Sequence, residues 1–178
     1  QRLLTARLEK YEFLQEHHHR IASIQFNLPF DPNRKLPPIV QPTKTFDEFM
    51  EFKLGDKTFE LYHAFAETDD ATWVFVPEIK TVFVGDLIIA GYPNIGNPWK
   101  PTRFALPWAR ALEDVRAKDA ELLIAHGGRA VYQGKEEVKD LLDVNIEGIY
   151  SIHDQVVECI NKDMPVDEMI HAVKLPDH

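Results

Sequence analysis

Apolar and polar positions alternate most regularly between residues 49 and 84. Phe49–Leu54 and Thr58–Ala64 alternate in polarity around Gly55-Asp56-Lys57, which reads as a hairpin. Ala71–Val76 and Thr81–Val84 are nearly continuous apolar runs joined by Pro77-Glu78-Ile79-Lys80. Such runs suit strands covered on both faces. The spacing predicts four strands ahead of Asp86. Beyond it the period changes. Residues 104–118 put Leu106, Ala109, Leu112 and Val115 on one helical face. Glu121–Ala125 reads as a short buried strand, 135–162 as a long helix, and 165–174 as a last short helix with Pro165 in its first turn. Upstream, Leu3, Leu4, Leu8, Tyr11, Leu14 and His18 mark residues 2–24 as an amphipathic helix. Pro29, Pro32, Pro37, Pro38 and Pro42 exclude a helix or a central strand from 27–43.

Hairpins followed by helix, strand and helix predict a layered α/β protein. The chain divides at a composition break, into an N-terminal helix with its Pro-rich connection (1–44) and the remainder (45–178). In this arrangement the 104–118 and 135–162 helices cover one outer face of the sheet. The other face has only the N-terminal helix as cover. An apolar face without cover marks association, so the chain is expected to need a partner chain or a self-assembled oligomer rather than act as a monomer.

Composition narrows the classes. The 178 residues, 44% hydrophobic, suffice for one core. A net charge of −9 argues against nucleic acid, whose binding is led by phosphate neutralisation, and against an anionic membrane surface. No apolar stretch reaches the roughly 18 residues a membrane span needs, and no signal-peptide pattern is visible. The chain opens on Gln1 rather than Met, from which a lost N-terminal portion is expected. Cys159 stands alone, which excludes an internal disulfide and a Cys-rich zinc site. Cysteine scarcity suits cytoplasm and periplasm equally.

The candidate chemistry lies at strand ends. Glu67 follows Phe59–Ala66, Asp86 follows Thr81-Val-Phe-Val-Gly85, and His126 follows Glu121-Leu-Leu-Ile-Ala125. Two carboxylates and an imidazole brought together this way suit a divalent metal, with zinc favoured. Each has a plainer reading. Glu67 also reads as a loop carboxylate beside Asp69 and Asp70, Asp86 as a hydrogen-bonded turn residue. Arg103 suits an anionic oxygen, since guanidinium matches sulfate or phosphate, and equally suits an ion pair at a helix start. Asn94 is a second candidate for the same anion. His17, His18 and His19 point about 100° apart on a helix and do not converge on one ion. His63 and His153 read as structural.

With these residues in place, a resemblance emerges. Ala66-Glu67-Thr68, Phe83-Val-Gly-Asp86 and Ile124-Ala-His126-Gly-Gly128 resemble the later motifs of the metallo-β-lactamase superfamily. Glutamate where that superfamily usually has Gly-His-Thr is the habit of its alkylsulfatase branch. Glu67–Glu78, Gly134-Lys-Glu-Glu-Val138, Ile152–Ile170 and His171–His178 resemble that branch too. The resemblance covers roughly residues 45–178. It implies the C-terminal half of an αββα sandwich, a metal site using Glu67, Asp86 and His126, and a small anionic ester as substrate. The family's His-x-His-x-Asp-His motif is absent from this sequence. So are its dimerisation region and sterol-carrier-like domain. At His126 the family pattern Gly-His-Gly-Arg-Pro-Val aligns from either side, placing His126 or Gly127 at the ligand position. Two functions follow: a metal-dependent hydrolase completed by a missing N-terminal half, or a non-catalytic structural subunit that binds a partner chain.

Overall fold

The computed structural model describes residues 17, 19–24, 27–31, 42–89, 92–96, 103–126 and 130–176. The chain divides into two compact units, Gln1–Thr45 and Phe46–His178.

In the first unit residues 19–24 are helical, and the Ser23 hydroxyl donates to the Arg20 carbonyl at 2.7 Å. His19 Nε2 accepts from the Asp31 amide at 3.3 Å, and the His19 ring lies 5.1 Å from that of Phe30. His19 is thus engaged within its own unit. Residues 2–16, His18 and most of the proline-rich connection lie outside the described residues.

The second unit holds a six-stranded sheet in sequential order, β1 (Phe49–Leu54), β2 (Lys57–Ala64), β3 (Ala71–Val76), β4 (Thr81–Gly85), β5 (Leu122–Ala125) and β6 (Val131–Gln133). All neighbours are antiparallel except β4 and β5, which are parallel. A parallel pair requires a crossover, which α1 (Ala105–Ala117) supplies. Two further helices follow, the long α2 (Lys135–Asn161) and the short α3 (Val166–Ala172).

The β1–β2 connection is shorter than the hairpin signal suggested. Gly55 takes φ +62° and only two residues turn the chain, so Lys57 already belongs to β2. β6 escapes the sequence pattern because three residues are too few to show alternation. Pro165 caps α3 from outside instead of sitting in its first turn. The two helices expected over one face, α1 and α2, form its cover. α3 buries none of its residues, and Gln155 clamps the chain beyond it by exchanging bonds with the Lys174 carbonyl and amide at 2.8 and 2.9 Å.

Cross-strand register sorts the sheet into two faces. Tyr62, Trp73, Phe75, Val82, Leu123 and Tyr132 align on the first. Trp73, Val82 and Leu123 are buried there with Trp108, Leu112 and Val115 of α1 and Val138, Leu142 and Ile149 of α2. Each such side chain contributes roughly 1.5–3 kcal/mol by leaving water. Met50, Phe52, Phe59, Leu61, Val74, Phe83, Ile124 and Val131 align on the second face, also apolar. There Phe52 is 44% exposed, Phe83 37% and Val131 48%.

Candidate metal centre

β2, β4 and β5 run in the same direction, because β3 reverses between β2 and β4 and β5 parallels β4. Their C-terminal ends therefore share one sheet edge. Glu67 lies three residues past β2, while Asp86 and His126 directly follow β4 and β5. All three line a cleft of about 640 Å³ together with Ala66, Thr68 and Thr72.

Local backbone devices aim each side chain. The register shifts between Phe83 and Gly85, and Gly85 adopts φ +50°, a left-handed conformation that side chains strain. This bulge turns the chain at Asp86. The Leu87 amide then donates to the Val84 carbonyl at 3.0 Å, and the buried Trp108 indole donates to the Leu87 carbonyl at 3.0 Å. α1 thus anchors the Asp86 turn. The His126 amide donates to the Gly85 carbonyl at 3.2 Å, carrying the β4–β5 pairing one step further. That sets His126 beside Asp86, with Nδ1 2.5 Å from Oδ1. A carboxylate at Nδ1 fixes the proton there and leaves Nε2 as the basic nitrogen.

Glu67 is held differently. The Phe104 amide donates to the Ala66 carbonyl at 2.9 Å, and the Phe65 and Phe104 rings meet edge to face at 5.3 Å. The next residues on each strand of this junction, Arg103 and Glu67, form an ion pair: Arg103 Nη2 donates to Glu67 Oε1 at 2.5 Å. Arg103 Nη1 donates to the Asn94 carbonyl. Asn94's own side chain accepts from the Gly96 amide at 3.3 Å. So Arg103 faces Glu67 and Asn94 and is not among the residues lining the cleft. His63 Nε2 donates to the Asp69 carbonyl at 2.8 Å, bracing the Glu67 loop, and His153 pairs with Asp154 at 2.9 Å.

The donor set fits a divalent cation in kind, with two carboxylates and one imidazole on one cleft. It falls short in number. Among the described residues, no three His, Cys, Asp or Glu side chains are grouped so as to hold a metal ion. The cleft therefore offers part of a site. Two pairings were not foreseen, Asp86 with His126 and Glu67 with Arg103. The latter partners lie 36 residues apart, and the Phe104–Ala66 bond and the Phe65–Phe104 ring contact bring them together.

No family model matches the chain. The linear primary-alkylsulfatase of Pseudomonas sp. (strain ATCC 19151) is 28% identical over 142 residues, 78% of this chain and 26% of that protein. The chain thus spans about a quarter of the length of this curated relative. Among solved structures, the stereoselective inverting sec-alkylsulfatase Pisa1 from Pseudomonas sp. superposes with a TM-score of 0.66 at 18% identity, covering 75% of this chain and 22% of that one. A double mutant of the sec-alkyl sulfatase PisA1 gives 0.67 at 16% identity, covering 78% and 23%. At these identities the likeness is one of fold.

Proposed function

We propose that this chain, metallo-β-lactamase-like in fold and alkylsulfatase-like in sequence, is the part of a metal-dependent hydrolase that carries Glu67, Asp86 and His126, completed by an N-terminal half bearing His-x-His-x-Asp-His. One observation carries this reading: three side chains from three separate strand ends wall a single cleft. Zinc is the favoured ion and a small anionic ester, a sulfate ester first, the favoured substrate class.

When bound, the metal would polarise the ester and acidify a bound water. The chain's own residues do the rest. Glu67 and Asp86 place negative charge on the cleft wall, where it attracts cations. Asp86 fixes the ring of His126, so that Nε2 is the nitrogen offered. Arg103, beside Asn94, faces Glu67 rather than the cleft, so it would steady an anion's oxygens only after turning out of that pairing.

The test is reconstitution. This chain, mixed or co-expressed with a polypeptide bearing the His-rich motif, is expected to bind zinc and hydrolyse alkyl sulfates. Glu67→Gln and Asp86→Asn abolish both while the circular dichroism stays unchanged. Full activity and unchanged metal content in either variant would remove that residue from the site. The isolated chain is expected to hold at most one ion weakly, for want of ligands. Two tightly held zinc ions in this chain alone would overturn the account.

A second reading, a structural subunit without chemistry that binds a partner chain, draws support from the half-exposed second face and the incomplete donor set. It is distinguished by a complex that forms at full affinity without metal and shows no hydrolysis with it. No helix among the described residues is long and apolar enough to cross a membrane.

A further inference from the structure

The pairing of Arg103 with Glu67 is unusual for an ion pair at a helix start, because it is buried. The Arg103 side chain is 4% exposed and that of Glu67 18%. Nη2 binds the Glu67 carboxylate and Nη1 the Asn94 carbonyl, while the buried Nε has no hydrogen-bond partner among the described residues. A buried guanidinium with an unsatisfied nitrogen is costly, and an opposite charge in contact is what offsets that cost. Glu67 supplies it.

We propose that Arg103 is the resident counter-ion of Glu67, a protein cation that occupies the carboxylate when no metal does, and that zinc and Arg103 compete for it. This rests on Glu67 being a metal ligand. A guanidinium and a divalent ion on one half-buried carboxylate would set three positive charges around one negative charge, where solvent screens them poorly. The backbone need not move for the exchange. The Phe104–Ala66 hydrogen bond and the Phe65–Phe104 ring contact pin the junction on both sides, which leaves the Arg103 side chain as the moving part. Arg103 thus holds the Glu67 carboxylate in place before the metal arrives, at the expense of affinity for it.

The experiment is a zinc titration of the full chain against a competing chelating dye, for wild type, Arg103→Met, Arg103→Lys and Glu67→Gln. Arg103→Met is expected to bind zinc about tenfold more tightly or better, since it removes the competing charge from a poorly screened site. Arg103→Lys, which keeps the charge, stays near wild type. An Arg103→Met affinity equal to or below wild type overturns the proposal. Glu67→Gln separates the two ideas. If it binds zinc as wild type does, Glu67 is not a ligand and the competition falls with that reading. If it binds more weakly and Arg103→Met still shows no gain, the competition alone is wrong. Should Arg103→Met fail to fold, wild type suffices. The Arg103 side-chain N–H protons, slow to exchange in the zinc-free chain by NMR, are expected to exchange quickly once zinc is added. Unchanged protection at saturating zinc overturns the proposal.

Discussion

The two faces of the six-stranded sheet are made of the same kind of residue and meet opposite fates. Neighbours on one strand show it best. Val84 is 1% exposed under α1 and α2, whereas Phe83, one residue earlier, is 37% exposed. Strand alternation sends them to opposite sides. On the first side the chain supplies its own cover, down to Trp108 and Leu112, which are fully buried. On the second, Phe52, Phe83 and Val131 remain half-open. Soluble monomers rarely leave a contiguous apolar surface of this kind without a use for it. The contrast assigns stability to one face of the strands and leaves the other to the proposed assembly. A substitution therefore reports on one or the other according to its parity.

The sharpest way to break this comparison is to open the covered face. Leu112→Ala removes a fully buried side chain from α1 and is expected to cost about 2–5 kcal/mol in urea unfolding of the isolated chain. A loss below about 1 kcal/mol would mean that this face is not packed as described. Gly148→Ala comes next. A Cβ at Gly148 would lie 2.1 Å from Tyr92 Cε1, so the ring must move off α2. The expected loss is about 1–3 kcal/mol. Tyr92 lies in the same segment as Asn94, whose carbonyl holds Arg103. The variant is therefore also expected to loosen the Arg103–Glu67 junction, visible as faster exchange of the Arg103 side-chain protons.

Much of this architecture was legible in the sequence. Phe49–Leu54, Ala71–Val76 and the long α2 declare themselves through period and apolar run, and their bounds shift by no more than a residue. The cleft was legible as a rule, since acids and a histidine just past apolar strands must lie at strand ends. What stayed hidden depends on partners distant in sequence. Nothing in Pro101-Thr102-Arg103 announces that Phe104 will bond Ala66 and so deliver Arg103 to Glu67. Nor does Gly85-Asp86 announce that His126, bonded through its amide to Gly85, will turn its ring onto the acid. Periodicity reports which face a residue takes, and it is silent on the side-chain neighbour it meets there.

A smaller effect sharpens the comparison at the rim of the covered face. Lys118, past the end of α1, donates to Glu60 Oε2 at 2.9 Å and lies over the Tyr62 ring at 4.4 Å, and the Tyr62 hydroxyl donates to the same carboxylate at 2.6 Å. Burial pushes the Glu60 carboxyl up, but the bonds from Lys118 and Tyr62 outweigh it and leave the group below the ordinary glutamate range. Burial likewise pushes Lys118 down, and its bonds to Glu60 and Tyr62 bring it above the ordinary lysine range. With a depressed folded-state pKa, the stability Glu60 contributes is present above its unfolded value and lost as pH falls through the folded one. With a raised one, the Lys118 contribution is present below its unfolded value and lost as pH rises through the folded one. Lys118→Met is thus expected to cost about 1 kcal/mol at neutral pH. The gap to wild type should close in acid below the glutamate range. A gap that is constant from neutral to acid pH would show that Lys118 acts through its methylenes alone.

The smallest expected effect on stability tests the open face. Phe83→Ser removes an aromatic ring from β4 but leaves the α1 and α2 packing untouched, because Phe83 points away from it. Substitutions away from buried features usually change stability by about 0.5 kcal/mol or less, and a 37%-exposed ring places the upper limit near 1. Urea unfolding of the isolated chain should therefore barely move. Association should move a great deal. The same substitution puts a hydroxyl at the middle of the apolar stripe that runs from Phe52 to Val131, where a second sheet would pack. It is expected to lower binding of an apolar-surface dye, and to weaken both self-association in sedimentation and complex formation with the proposed N-terminal half. If Phe83→Ser destabilised the isolated chain as much as Leu112→Ala, the second face would already be packed within this chain. The contrast between the faces would then be wrong. If stability and association both stayed put, the stripe would be exposed surface with no partner, and the reading of this chain as one half of a layered fold would lose its physical basis.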